Sequence, residues 1–294
     1  MGSKDTLFSA KPTINCRGRL VDFSVPRIMG VINTTPDSFF DGSRYSSAKE
    51  VCVRIEAMLS EGADIIDIGA YSSRPGARDI GEDEEIKRLD SVLEDVRKRF
   101  PDTILSIDTF RSSVAEHVVR EFGVDMINDI SAGEQDERMM KLLGELGIPY
   151  IIMHMRGTPQ TMQDNPVYTD PVKELLEYFA QRIDIARRAG IMDLIVDPGF
   201  GFGKTISHNF ELLSGIAVFH MLGVPVMAGL SRKSMIYKTL GIMPGEALNG
   251  TTVLNTLALV NGVNILRVHD VKEAVQAVKL YLKYLEAGKN KEIL

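Results

Sequence analysis

The sequence predicts an α/β fold: a (β/α)8 TIM barrel with a short N-terminal β-hairpin. Three observations predict it. From Arg27 onward, short apolar runs alternate eight times with amphipathic helical stretches. The eight units occupy roughly 265 residues, the usual size of a closed barrel. Polar residues collect at the C-terminal ends of the apolar runs, where barrel enzymes carry their chemistry. A doubly wound open sheet shares the alternation and is the competing arrangement.

Residues 1–26 read as an extension in which Cys16-Arg17-Gly18-Arg19 turns between two strand-like runs, a hairpin plugging the barrel bottom; residues 27–294 read as one barrel domain. The strand candidates are Ile28–Asn33, Ile65–Gly69, Thr103–Asp108, Asp125–Asp129, Tyr150–His154, Leu194–Asp197, Val226–Gly229 and Asn264–Val268. Each is short and bounded by Gly, Pro or Asp, as buried parallel strands are. Between them, Ser47 and Glu50 have the spacing of a capping box, followed by the stripe Val51, Ile55, Met58, Leu59. Ile86, Leu89, Leu93, Val96 and Phe100 form a second stripe. Val172, Leu175, Leu176, Phe179 and Ile183 form a third, and Val271, Ala274, Val275, Val278 and Leu282 a last one. Each would lay one helix face on the sheet.

With 294 residues, 44% hydrophobic and 25% charged, the chain can bury a full core without staples. The net charge of −6, with no Lys/Arg block, argues against a nucleic-acid partner. Cys16 and Cys52 lack metal-ligand spacing and do not make a disulfide framework, which fits a reducing compartment. No apolar run reaches the roughly 18 residues of a membrane span, and no signal peptide is visible. Met1-Gly2-Ser3-Lys4-Asp5-Thr6 matches a myristoylation pattern, but no basic patch or second anchor accompanies it. The expectation is a soluble, cytoplasmic chain with small-molecule substrates and no membrane partner.

The strand ends carry Asn33, Asp108, Asn128, Asp129, His154 and Asp197, and the last strand runs into Arg267 and His269. Alternation puts Ile104, Ser106 and Asp108 on one face, and Arg267 with His269 on one face. If Leu105 and Ile107 pack on helices, Asp108 points into the barrel mouth, where a carboxylate requires a partner or a ligand. The bland alternative is that these groups satisfy one another; their gathering at one end favours function. Two connections, Thr34–Ser46 and Ala70–Gly81, run about a dozen residues without helical or strand period, the length of lids or binding loops. They hold Phe39, Phe40, Tyr45 and Tyr71 beside Asp37 and Arg74.

The stretch Asp197-Pro198-Gly199-Phe200-Gly201-Phe202-Gly203-Lys204-Thr205 is neither a P-loop, which needs Gly where Pro198 stands, nor a dinucleotide fingerprint. It reads as a tight turn that brings backbone and Phe202 close to a flat ligand. The five histidines show no zinc spacing, Ser231-Arg232-Lys233-Ser234 is not an S-x-x-K motif, and there is no G-x-S-x-G elbow. Covalent serine chemistry is therefore not expected.

In these residues the chain resembles the dihydropteroate synthases. Gly30-Val31-Ile32-Asn33-Thr34-Thr35-Pro36-Asp37-Ser38-Phe39-Phe40-Asp41-Gly42 is similar to the first signature of that family, and Ser72-Ser73-Arg74-Pro75-Gly76-Ala77 to the second. Ser106-Ile107-Asp108-Thr109, Asn128-Asp129, Met153-His154-Met155, the glycine turn, Ser231-Arg232-Lys233-Ser234 and Arg267-Val268-His269-Asp270 follow in order. One departure is Tyr71-Ser72-Ser73 where the family has Glu-Ser-Thr; Ser73 keeps the hydroxyl, and no role is carried to Tyr71.

The resemblance implies transfer of the 7,8-dihydropterin-6-ylmethyl group from its diphosphate to p-aminobenzoate, with release of diphosphate. It implies a pterin site of Asp108, Asn128, Met153, Asp197, Phe202, Lys233 and Arg267. Asp197 would take the adjacent ring N–H and amino group, Lys233 would donate to ring oxygen and nitrogen, and Arg267 would stack on the ring. It implies a diphosphate clamp of Asn33, Ser73, Arg74, Arg267 and His269, with Mg2+ held partly by Asn33. A p-aminobenzoate site would use Phe39, Pro75, Lys233 and Ser234. Asp108, Asn33, Arg74, Lys233 and His269 would act in catalysis, Asp108 by favouring positive charge on the pterin methylene. A homodimer through the last helices is also implied. Two other readings share the pterin pocket: a corrinoid-dependent methyltransferase domain, and a pterin binder without catalysis. Arg74-Pro75 and Lys233-Ser234 count against the first, and Asn33, Asp108 and His269 against the second.

Overall fold

In a computed structural model of the chain, residues 13–34, 48–72, 78–158, 161–162 and 166–289 are described. Strands β1 (Thr13–Cys16) and β2 (Arg19–Asp22) pair antiparallel about a two-residue turn. Arg17 and Gly18 both take positive φ, 51° and 88°, as the twist of a tight hairpin requires.

Eight parallel strands follow: β3 (Arg27–Asn33), β4 (Ile65–Gly69), β5 (Ile104–Asp108), β6 (Met126–Asp129), β7 (Tyr150–Met153), β8 (Leu194–Asp197), β9 (Met227–Ala228) and β10 (Ile265–Val268). The helices are α1 (Ala48–Glu61), α2 (Glu82–Arg99), α3 (Ser112–Phe122), α4 (Arg138–Leu146), α5 (Pro171–Arg188), α6 (Ile206–Gly215), α7 (Ser234–Leu240), α8 (Leu248–Val260) and α9 (Val271–Lys289). The sheet runs β8-β7-β6-β5-β4-β3-β10-β9, and a parallel bridge from Val196 to Val226 brings its two ends together. Val196 N–H donates to Pro225 O at 3.0 Å on that seam, so the sheet rolls up and the open doubly wound arrangement does not form. β9 is shorter than the predicted Val226–Gly229, with Val226 just outside it in the isolated bridge.

The stripes read from the sequence bury as expected. Val51, Ile55 and Met58 of α1, Leu89, Leu93 and Val96 of α2, and Leu175, Phe179 and Ile183 of α5 join the layer between strands and helices. Leu105 and Ile107 join it too. Asp170 starts α5 by accepting from Val172 N–H (3.1 Å) and Lys173 N–H (3.0 Å), with Pro171 in the first turn. The Ser47 half of the capping box lies outside the described residues.

A second apolar cluster fills the bottom of the barrel. Met29, Ile65, Ile104, Met126, Ile151, Ile195, Met227 and Ile265 meet Ile14, Cys16, Val21 and Phe23 of the hairpin segment there. The hairpin is thus a plug at the N-terminal ends of the strands. Among the described residues no helix is long and apolar enough to cross a membrane.

Candidate active site

The alternation that turns Met29, Ile65, Ile104, Met126, Ile151, Ile195, Met227 and Ile265 inward also turns in the residues two positions further on. These are Val31, Asp67, Ser106, Asn128, Met153, Asp197, Gly229 and Arg267. Four positions on stand Asn33, Gly69 and Asp108. The lumen therefore changes from apolar to polar within one strand repeat.

Arg267 ties this layer together. Its Nε donates to Asp67 Oδ2 at 2.7 Å, and its Nη2 lies 2.6 Å from that oxygen and 2.8 Å from Asp108 Oδ2. Asn128 Nδ2 donates to the same Asp67 oxygen at 3.1 Å. Burial works against the Arg267 cation, but Asp67 and Asp108 outweigh it and hold its pKa above the ordinary range. Burial pushes the Asp108 carboxyl up to about 7; Arg267 opposes the rise, and Asp67, Glu85 and Asp129 add to it. Asn33 completes this side: a Cβ at Gly69 would meet Asp108 Cβ at 3.4 Å and Asn33 Oδ1 at 3.6 Å.

On the opposite wall, a Cβ at Gly229 would lie 3.7 Å from Lys233 Nζ, 3.8 Å from Asp197 Oδ2 and 4.0 Å from Arg267 Cβ. Three predicted pterin contacts thus meet around a residue with no side chain. Burial raises the Asp197 pKa, against Lys233 and the Gly199 N–H, which donates to Oδ1 at 2.8 Å. Burial lowers Lys233 to about 8, with Asp197 opposing.

The glycine turn after β8 is shaped by close packing. Gly199 has φ 70°, and a Cβ there would strike His154 O at 2.2 Å, so only glycine fits. Lys233 Nζ donates to Phe200 O and sits 4.9 Å from the centre of the Phe202 ring. Phe202 packs with Met153, Met155, Met162, Ile130 and Phe110 as an apolar shelf at the mouth. Lys204 anchors the turn from behind. Its Nζ donates to the carbonyls of Gly199 (3.1 Å), Phe202 (2.9 Å) and His154 (3.2 Å).

His269 Nδ1 lies 3.1 Å from Ser231 Oγ, and its carbonyl accepts from Arg54 Nη2 at 2.8 Å. Ser234 opens α7 directly after Lys233. The structure thus brings Asn33, Asp108, Asn128, Met153, Asp197, Phe202, Lys233, Ser234, Arg267 and His269 to one end of the barrel. Phe39, Ser73, Arg74 and Pro75 lie outside the described residues. Two other polar strand ends do not join the group, because their parity turns them outward. Asp129 accepts from Tyr150 Oη (2.5 Å), Ser131 and the Gly133 N–H. His154 packs edge-on to Tyr178 and lies 3.2 Å from Lys204 Nζ; burial and the Lys204 and Arg156 charges lower its pKa to about 2. Tyr71 rests edge-on against Phe110 at 5.0 Å, with the Arg111 guanidinium 5.2 Å from its ring.

Sequence reasoning missed Asp67, Lys204 and Ser231 as parts of the site. Asp67 had a signal, its shared parity with Ile65 and Gly69, but it lies mid-strand and not at the strand end.

Among the described residues no three His, Cys, Asp or Glu side chains cluster as a metal site. Asn33 offers one hard amide oxygen near Asp108. That donor set fits an Mg2+ ion bound mainly by substrate diphosphate and water, the usual habit of this ion, and does not fit a metal held by protein alone.

The chain matches the family described as Pterin binding enzyme over residues 29–269. It is 40% identical over 277 residues to a dihydropteroate synthase of Escherichia coli strain K12, covering 94% of this chain and 97% of the relative. The fold is similar to that of the Yersinia pestis dihydropteroate synthase in a sulfonamide complex, with TM-score 0.89 and 36% identity, covering 94% of this chain and 100% of that one. It is also similar to the Xanthomonas albilineans dihydropteroate synthase in complex with 7,8-dihydropteroate, with TM-score 0.82 and 34% identity, covering 93% and 99%. With the barrel, the convergent polar mouth and this likeness along nearly the whole length, the chain belongs to the dihydropteroate synthase family of pterin-binding enzymes.

Proposed function

We propose that the chain transfers the 7,8-dihydropterin-6-ylmethyl group from its diphosphate to p-aminobenzoate, releasing diphosphate. The observation that carries this reading is the convergence of Asp197, Lys233, Arg267, Asp108 and Asn128 on one barrel mouth. A flat ring with adjacent N–H and amino donors fits the Asp197 carboxylate. Lys233 donates to ring acceptors, Arg267 lies against the ring face, and Met153 and Phe202 supply apolar walls.

The reaction then follows a dissociative course. The methylene C–O bond breaks, and its electron pair leaves with diphosphate. The positive charge on the methylene spreads into the ring, and the ionised Asp108 carboxylate, held by Arg267 before reaction, favours it. The amine lone pair of p-aminobenzoate forms the new C–N bond, and the surplus proton departs from nitrogen. Asn33 and His269, with Ser73 and Arg74, hold the leaving diphosphate; Mg2+, when bound through Asn33, neutralises its charge. Phe39, Pro75, Lys233 and Ser234 seat p-aminobenzoate.

The test is direct: diphosphate release measured on mixing with the pterin diphosphate, with and without p-aminobenzoate. Sustained release is expected only with both substrates, and at most a single turnover with the pterin diphosphate alone; no release with both present sinks the reading. The pH dependence adds a second check. Asp108 acts ionised, so activity falls as pH drops through about 7; Lys233 acts protonated, so it falls as pH rises through about 8. A bell-shaped kcat/KM with its maximum between those values is expected, and a flat profile from pH 6 to 9 rules out both assignments.

The chain works as a homodimer in the cytoplasm. Along α8, Val253, Leu257 and Val260 form an exposed apolar stripe, and Leu280 and Tyr284 of α9 are also exposed. Both cysteines are free and buried, as suits a reducing compartment. Glutamate at both Val253 and Leu257 is expected to halve the mass measured by analytical ultracentrifugation. An unchanged dimer mass would place the interface elsewhere.

A further inference from the structure

We propose that Asp67 is the positioning residue that sets the donor and acceptor pattern of the pterin pocket, an inference that rests on the functional reading above. Asp67 is fully buried, two positions before the end of β4, and pairs in register with Ser106. It acts through two neighbours. Its Oδ2 accepts from Asn128 Nδ2 at 3.1 Å and from Arg267 Nε at 2.7 Å, with Arg267 Nη2 at 2.6 Å.

The consequence for Asn128 is a matter of hydrogen-bond chemistry. A carboxylate paired with a guanidinium only accepts, so the Asn128 group facing it must be the NH2. The amide cannot turn over without setting oxygen against oxygen. Asn128 therefore offers its carbonyl oxygen to a ligand, as an acceptor. The polar rim is then ordered: acceptors at Asn128 and Asp197, donors at Lys233 and Arg267. Such a rim takes a ring that shows N–H groups to the first pair, and it rejects an isostere with the pattern reversed, because a buried group would be left unpaired.

For Arg267, two of the three nitrogens are held by one oxygen of Asp67, and Asp108 takes a further bond from Nη2. This fixes the plane of the guanidinium before a ring arrives. The other Asp67 oxygen, Oδ1, and the Ser106 hydroxyl are both buried and lack a hydrogen-bond partner. They stand on register-paired residues of β4 and β5, where rotation about the Ser106 C–O bond can turn its hydrogen towards the carboxylate. A carboxylate is not needed at this level for packing. The layer directly beneath, with Ile65, Ile104, Ile151 and Ile195, is apolar and fills the same lumen. A buried ion pair is weak evidence for stability, so its presence here points to organising Asn128 and Arg267.

The experiment measures binding of 6-hydroxymethyl-7,8-dihydropterin by isothermal titration calorimetry, for the wild type, Asp67→Asn, Asn128→Ala and the double variant. Asp67→Asn removes the charge that pairs with the Arg267 guanidinium and leaves both Arg267 and Asn128 a neutral, weaker acceptor. Its Kd is expected to rise about tenfold or more, while the KM for p-aminobenzoate at saturating pterin stays unchanged. In the Asn128→Ala background the same substitution is expected to cost less. Wild-type affinity in Asp67→Asn, an equal rise in both substrates' constants, or fully additive losses would each overturn the proposal. A wild type that fails to bind the pterin would instead sink the functional reading, and this one with it. Should Asp67→Asn not fold, a neutron structure of the wild-type pterin complex decides. Deuterium on the Asn128 atom facing Asp67 supports the proposal, and deuterium on the ligand side overturns it.

Discussion

Asp197→Asn is expected to raise the Kd for a pterin lacking the diphosphate by about a hundredfold or more. The carboxylate offers two oxygens to two ring donors and carries the charge that makes both bonds strong. An amide keeps one acceptor and turns a donor towards the second ring N–H, so one bond is lost and a donor faces a donor. Lys233 then loses its opposing carboxylate in a buried setting where burial already disfavours its charge. Such changes cost roughly 3 kcal/mol or more, which is the basis of the factor. The fold should tolerate the change, because an asparagine oxygen still accepts the Gly199 N–H that now donates to Oδ1. Calorimetry with the pterin alcohol measures the effect. Unchanged affinity would mean that the ring edge is read by another group.

Much of this site was legible because a barrel converts sequence parity into direction. Once Leu105 and Ile107 read as the helix-facing pair, Asp108 had one place to point, and the structure puts it beside Arg267 at 2.8 Å. The same rule, pushed no further than strand ends, grouped Asp129 and His154 with the site. Asp129 follows Asn128 directly in the strand, so one of the two had to face the helices, and hydrogen bonds from Tyr150 and Ser131 await it there. The hairpin was legible from its turn residues, and its role as a plug from the apolar run that it had to cover.

What stayed hidden depends on distance in sequence. Nothing near Asp67 indicates that Arg267, 200 positions on, supplies its counter-charge. Lys204 reads as the end of a failed phosphate loop, whereas its ammonium is spent on three carbonyls behind the turn. Glu85 sits beside Ile86 in an amphipathic stripe and looks solvent-facing. It is instead fully buried and paired with Arg111, an ion pair that periodicity cannot show. The fold is written in local alternation; the charge pairing that completes the site is written in contacts between distant strands.

Asp108→Asn tests the catalytic step itself, and kcat is expected to fall about a hundred- to a thousandfold. The substitution preserves shape and an oxygen for Arg267 to bond, but it removes the fixed negative charge from the place where positive charge develops. Pterin binding should suffer much less, because the ring cation forms only as diphosphate leaves. The effect should therefore appear in kcat, with a smaller change in Kd for the pterin alcohol. The acid limb of the pH profile should disappear with it, since that limb reports Asp108, whose pKa stands at about 7. The basic limb, which reports Lys233, should persist. Together these outcomes separate electrostatic catalysis from ground-state binding. If kcat held while pterin affinity collapsed, Asp108 would serve ring binding alone, and the cation would have to be stabilised by some other group.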